Sequence, residues 1–244
     1  MISRRELLKG FGAAAVGLAV SRVDGMLSWA SEVGGHGHHG AEKLVSPEEA
    51  LKLLKAGNER FVTMKRKSDP GVGPKVREKL TRGQWPYASI LCCADSRTPP
   101  EIIFDEGLGR LFVVRVAGNM ITPELLGSLE YISLHSTSRL IMVMGHDSCG
   151  AVGAAVNAAE HPGPAETPAL GDIVNRLMPA VMEAKKTGAQ GKELVEAAAK
   201  ENVRMTVKQI AEESHALGGM QKKGEIKIVG AYYSLATGKV DVWT

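Results

Sequence analysis

ASILCCADSR, residues 88–97, decides how this chain is read. Residues 88–93 are apolar or small at almost every position. A short run of that kind, bounded by charge and by Thr98-Pro99-Pro100, suits a strand buried on both faces, and such strands belong to parallel sheets. Three runs share the pattern: LFVVRV at 111–116, LIMVM at 140–144 and KIVGAY at 227–232, with 240–243 as an edge strand. Helical spacing lies between them. Leu125, Leu126, Leu129 and Ile132 share a face over 123–135, and Val195, Val203, Val207, Ile210 and Leu217 are spaced for burial in one long helix over 191–217. SPEEALKLLKAGNERFV, residues 46–62, opens the folded part. Ser46 serves as cap, Pro47 suits the first helical position, Glu49 completes a capping box, and Leu51, Leu54 and Phe61 form the stripe. GVGPKVREKLTRGQWP, residues 71–86, reads as a loop, a short helix and a stop. Strands alternating with helices predict an α/β fold, a central mainly parallel sheet flanked by helices, in one domain over 46–244.

Composition agrees. The chain has 244 residues, 44% hydrophobic and 23% charged, enough for one sizeable core. Its net charge is +3, of which the first 30 residues carry +2, so the body is near neutral. A near-neutral body with 5% aromatics argues against a nucleic-acid partner. Three cysteines, an odd number in a long chain, do not make a disulfide framework.

The first residues read as an address. Arg4 and Arg5 precede Leu7, Leu8 and Lys9, an apolar run covers 11–20, and Ser28 and Ala30 offer small residues for cleavage. Ten such residues span about 15 Å as a helix, half a bilayer core, so no stable membrane span is expected. The order resembles a bacterial twin-arginine signal, with Leu7 where phenylalanine is commoner. It implies a signal peptide over 1–30, passage through the twin-arginine export machinery in the folded state, cleavage near Ala30 and a periplasmic protein. Residues 31–45 then form a His/Gly-rich tail. His36, His38 and His39 can bind a metal loosely there but are read as part of a flexible tail.

The chemistry gathers at two places. Cys93, Asp95 and Arg97 alternate just past the first buried strand. In extended chain they would share a face, roughly 7 Å apart. GHDSCG, residues 145–150, ends the third strand, and His146 and Cys149 are three apart across a strand-to-helix turn for which Gly145 and Gly150 give the backbone room. Ligands in open α/β sheets sit at the C-terminal ends of strands. With the two strands adjacent, Cys93, His146 and Cys149 supply two thiolates and an imidazole, a donor set that favours Zn²⁺ over Mg²⁺ or Ca²⁺ and leaves a fourth position. Asp95 is ambiguous. It either takes that position and closes the site, or Arg97 holds it aside bidentately so that it orients zinc-bound hydroxide. Cys92 points away from Cys93 in a regular strand and reads as a buried apolar residue. His135, His161 and His215 read as surface or packing histidines.

CADSR followed some fifty residues later by HDSCG resembles a β-class carbonic anhydrase. GNERFV, GQWP, LFVVRVAGN, GSLEYI and GAYYSLATGKV agree in order, covering the chain from about Ser46 onward. The resemblance implies one zinc ion per subunit on Cys93, His146 and Cys149, with Asp95 and Arg97 as a catalytic dyad. It implies reversible hydration of CO₂ to bicarbonate and a proton, in a homodimer or higher homo-oligomer with the site at the subunit interface. Gln84 matches a glutamine that in plant-like members donates to substrate from across that interface, and the N–H of Gly150 matches a second donor. Members with an inhibitory bicarbonate site carry tryptophan three residues before the first zinc cysteine. Ile90 stands there, so a plant-like, non-allosteric subtype with a readily opened Asp95–Arg97 pair is expected. Cys92 departs from the family, where a small or apolar residue is commoner. Two other functions stay open from sequence: hydrolysis of carbonyl sulfide or carbon disulfide on the same scaffold, and a non-catalytic zinc-binding protein with Asp95 as permanent fourth ligand.

Overall fold

The computed structural model describes residues 44–243. The signal-like segment, the cleavage position and the tail histidines His36, His38 and His39 therefore lie outside the described residues. In chain order the elements are α1 (Pro47–Val62), α2 (Pro74–Leu80), β1 (Ala88–Cys92), α3 (Pro100–Ile103), β2 (Leu111–Arg115), α4 (Pro123–His135), β3 (Leu140–His146), α5 (Gly150–Glu160), α6 (Pro168–Lys185), α7 (Gly191–Glu213), α8 (His215–Lys222), β4 (Lys227–Tyr233) and β5 (Val240–Trp243). Among the described residues no helix is long and apolar enough to cross a membrane.

The sheet runs β2-β1-β3-β4-β5. The first four strands pair in parallel and β5 closes one edge antiparallel. β1 and β3 are buried at every position, as strands covered on both faces must be. Strand alternation divides the core. Ile90, Cys92, Met142, Met144, Val229 and Tyr233 pack with Ala50 and Leu54 of α1. Leu91, Ile141, Val143 and Ile228 face the other way, against Leu129 of α4, Val203 and Ile210 of α7 and Leu217 of α8. Cys93 and Cys149 join a third cluster with Val152, Leu177 and Ala198.

Local chemistry sets the element ends. Ser46 caps α1 by accepting from the Glu49 N–H at 3.2 Å. Within α1, Gly57 lets the helix cross the chain after α3, because a Cβ there would stand 1.9 Å from the Phe104 carbonyl oxygen. Asn58, one residue on, donates to the carbonyls of Ile103 (3.2 Å) and Gly238 (2.8 Å) and accepts from the Val240 N–H (2.9 Å). The single long helix expected over 191–217 is in fact two. Ser214 takes extended backbone, accepts from the Leu217 N–H at 3.0 Å and donates to Glu130 at 2.5 Å, so it starts α8 afresh. Apolar spacing runs through such a break unchanged, because the same face of both helices is buried.

Candidate metal centre

Strand order reverses direction between β1 and β3, since the chain goes from β1 outward to β2 and then back past β1 to β3. The loops leaving those two strands diverge and leave a crevice at their C-terminal ends. Cys93 is the first residue after β1, His146 the last of β3, and Cys149 the N-cap of α5. All three are buried. Their ligand atoms lie within 4.8 Å of one another, and the two sulfurs are 3.9 Å apart. Nδ1 of His146 lies 2.8 Å from the Asp147 carbonyl oxygen. Nε2 is buried with no hydrogen-bond partner. A buried nitrogen left without a partner is costly unless something absent from the chain takes its lone pair.

Electrostatics point to a cation. The Cys93 thiol is pulled down to about 4, chiefly by the hydrogen bond from Cys149, with burial opposing and His146 and the Gly118 N–H assisting. Cys149 moves far upward, because its bond to Cys93, its burial and the charge on Cys93 all oppose a second thiolate. Burial lowers His146, but the Cys93 sulfur, the Asp147 carbonyl and Asp95 outweigh it and the net direction is up. Two thiolates and a neutral imidazole this close require a compensating positive charge, and a soft divalent ion fits the S₂N set.

Asp95 stands outside the three-ligand cluster. Its Oδ1 accepts from the Arg97 backbone N–H and Nε, both at 2.9 Å, and its Oδ2 from Nη2 at 2.6 Å. Arg97 thereby holds the Asp95 carboxyl well below the usual carboxylate range, against a smaller effect of burial. The same guanidinium reaches the Ser148 carbonyl at 3.4 Å. The geometry that joins the pair is not the extended alternation expected from sequence. β1 ends at Cys92, one residue earlier than expected, and the chain turns at 96–97, where the Thr98 N–H donates to the Asp95 carbonyl at 3.0 Å. An aspartate accepting from the N–H two residues on is an Asx turn, which brings side chains i and i+2 together without a strand.

That turn has a fastener the sequence reading did not single out. Arg115, at the end of β2, donates through Nε to the Cys93 carbonyl (2.9 Å) and through Nη2 to the Asp95 carbonyl (2.5 Å) and Thr98 Oγ1 (3.4 Å). Thr98, which is buried, donates through Oγ1 toward the same two carbonyls at 3.2 and 3.0 Å. The one available signal was a charge inside the apolar run LFVVRV.

The glycines act differently from expectation. Gly145 lies within extended β3 and has no positive φ. It is there for packing, since a Cβ would meet Val203 Cγ2 at 2.7 Å. Gly150 begins α5 with open space around it. The turn between His146 and Cys149 is made instead by Ser148, at φ 51° in the left-handed region. Beside Gly150 opens a largely apolar cavity of 710 Å³, lined by Ala117, Ala151, Ala154, Leu170 and Met178 among others.

The remaining candidates separate. Gln84 is exposed before β1, where its carbonyl accepts from Ser136 at the end of α4, so it lies at the opposite end of the strand from Cys93. Cys92 is fully buried on the α1 side, its thiol pushed up to about 12 chiefly by burial. Ile90 packs in that same cluster. His135, His161 and His215 are exposed.

Comparison with known proteins gives one answer. The family profile described as "Carbonic anhydrase" matches residues 88–240. A carbonic anhydrase of Mycolicibacterium smegmatis is 40% identical over 197 residues, covering 81% of this chain and 93% of the relative. Carbonic anhydrase 2 of Mycobacterium tuberculosis is 41% identical over 194 residues, covering 80% and 91%. Among solved structures, that of the β-carbonic anhydrase CcaA superposes with a TM-score of 0.62 at 25% identity, covering 80% of this chain and 88% of that one.

Proposed function

Since this chain belongs to the β-carbonic anhydrase family, we propose that it binds one zinc ion per subunit on Cys93, His146 and Cys149 and catalyses reversible hydration of CO₂ to bicarbonate and a proton. The observation that carries this reading is the unpartnered Nε2 of His146 beside two sulfurs 3.9 Å apart, at the strand switch point. Held by Cys93, His146 and Cys149, a zinc ion would supply a nucleophile from water near neutral pH by lowering the pKa of that water from about 15.7 towards about 7.

The chain's own residues do the rest. Arg97 keeps the Asp95 carboxylate ionised and turned aside. From there Asp95 would accept a hydrogen bond from the nucleophile and orient it toward carbon. The Gly150 N–H, at the first turn of α5, donates to a substrate oxygen. Arg115 and Thr98 fix the turn on which Asp95 rides. The Arg97 clamp favours this reading over a storage site with Asp95 as permanent fourth ligand.

Gln84 serves as substrate donor only across an interface, because within one chain it stands at the wrong end of β1. Oligomerisation is supported further by β2, which among the described residues has no strand on its outer side and so leaves an edge for pairing. Residues 1–30 act as a twin-arginine signal and the mature protein is periplasmic. N-terminal sequencing of exported material starting near Ser31 supports this, and retention of Met1 rejects it.

Stopped-flow CO₂ hydration by zinc-loaded protein tests the activity. A zinc-dependent rate is expected, and no rate above buffer at pH 8 or higher overturns it. Rates on carbonyl sulfide measured beside CO₂ identify which substrate the pocket serves.

A further inference from the structure

A neutral imidazole keeps one proton, and the nitrogen that keeps it is not available to a metal. The Asp147 carbonyl oxygen, 2.8 Å from Nδ1 of His146, accepts and cannot donate. It therefore places the proton on Nδ1 and leaves the lone pair on Nε2. This choice depends on how the peptide after Asp147 is turned. That peptide leads into Ser148 at φ 51°, a conformation that a serine adopts only when its surroundings impose it.

Three bonds impose it. The Asp147 N–H donates to the Tyr233 carbonyl at 3.2 Å, carrying the β3–β4 ladder one residue further. Arg97 reaches the Ser148 carbonyl at 3.4 Å. The Asp147 carboxylate accepts from the Leu235 N–H, with its oxygens at 3.2 and 3.1 Å, and so ties the loop to the turn between β4 and β5. The first is backbone and the second belongs to a side chain already holding Asp95. Among the described residues the carboxylate of Asp147 accepts hydrogen bonds from the Leu235 N–H alone.

We infer that Asp147 is a positioning residue, whose carboxylate, clamped on the Leu235 N–H, fixes its own carbonyl against Nδ1 and so selects Nε2 of His146 as the ligand nitrogen. The inference rests on the zinc reading above. It concerns the partner of a metal-binding histidine, a place where substitution typically costs 10–100-fold in metal affinity. An asparagine keeps one acceptor for the Leu235 N–H. Alanine keeps none, and leucine keeps the volume without an acceptor.

The test uses the full chain as wild type, Asp147→Asn, Asp147→Ala and Asp147→Leu. Side-chain ¹⁵N–¹H correlation spectra of metal-free, reduced protein at pH 9 read which nitrogen of His146 carries the proton. Competition with a chromophoric chelator reads zinc affinity. Wild type and Asp147→Asn should hold the proton on Nδ1 and bind zinc alike. Asp147→Ala and Asp147→Leu should mix the two tautomers and lose about 10–100-fold in affinity. Variants without an acceptor that lose only thermal stability, with tautomer and affinity unchanged, overturn the proposal and leave Asp147 a plain structural clamp. A wild type that binds no zinc rejects the zinc reading, while the metal-free tautomer still decides the role of Asp147.

Discussion

Gly145→Ala is the sharpest probe of how the fold sets the metal centre. Val203 of α7, fully buried, sits in a notch made by two glycines on neighbouring strands. Its Cγ2 would lie 2.7 Å from a Cβ on Gly145 and its Cγ1 3.0 Å from one on Gly230. Ordinary carbon contacts are about 3.5–4.0 Å, so the new methyl on residue 145 is about 1 Å too close. Valine cannot swing aside, because its χ1 in a helix is confined to one rotamer. Either α7 lifts or β3 bends just before His146, and overpacking of this kind costs about 1–3 kcal/mol. For a folded part of this size that lowers Tm by about 2–12 °C, at about 2–4 °C per kcal/mol. Val203→Ala alone removes the equivalent of two methylenes and leaves a cavity, a loss of about 2 kcal/mol. In the double variant the added methyl occupies the vacated space. The two effects should then fall short of their sum by about 1 kcal/mol or more, where independent sites add to within about 0.3–0.5. Urea and thermal unfolding of all four proteins give the cycle. Zinc affinity should fall in Gly145→Ala and partly return in the double variant. Additive energies would refute the notch, and an unchanged zinc affinity would refute its bearing on His146.

Other expected outcomes are direct. Arg97→Ala releases Asp95 toward the metal, so CO₂ hydration near neutral pH should drop by about 10–100-fold with X-ray absorption showing an oxygen ligand from the protein; a wild-type rate excludes the clamp. Chelating the zinc should lower Tm, and Cys93→Ser and Cys149→Ser should abolish that difference while Cys92→Ala preserves it, as followed by calorimetry with and without metal. The buried Asp105 is raised by burial but lowered more by Arg60, the Lys67 N–H and Arg66, for a net value below the usual carboxylate range. Its contribution to stability is therefore present above the unfolded pKa of about 3.9 and lost as pH falls through the lower folded value. Asp105→Asn should destabilise at pH 7 and flatten the acid limb of the stability curve, and an unchanged acid limb counts against this assignment.

What could be read from sequence, and what could not, divides along a physical line. Apolar runs at β1 and β3 and the three-residue spacing of His146 and Cys149 are local in the chain, parallel pairing follows from burial on both faces, and Cys93 joins the pair because β1 and β3 are neighbours. Opposite facing of Cys92 and Cys93 needs only strand periodicity. Arg115 escaped because its task, holding the Cys93 and Asp95 carbonyls, depends on the β1–β2 register. Gly145 looked like a turn residue because a glycine beside a ligand is ambiguous until the opposing helix is in place. The strained turn fell on Ser148, which no composition rule marks. Helix α5 follows from the strand-to-helix turn that ends at Cys149, whereas α6 has no such marker in the sequence. α5 is Ala- and Gly-rich, so the single face it buries, Val152, Ala155 and Val156, stands out little from its other small apolar residues.

The Asn58 clasp bears on the order in which the chain is made. Its partners are Ile103, 45 positions on, and Gly238 and Val240, 180 and 182 positions on. At about 5–20 residues per second, a ribosome delivers the last two about 10–40 s after Asn58 itself. Until then a side chain on the first described helix keeps two of its three bonds open, and α1 has no lock on the sheet edge it will finally share with β5. A nascent chain thus carries a built-in delay between forming its metal-site strands and sealing α1, the first helix among the described residues.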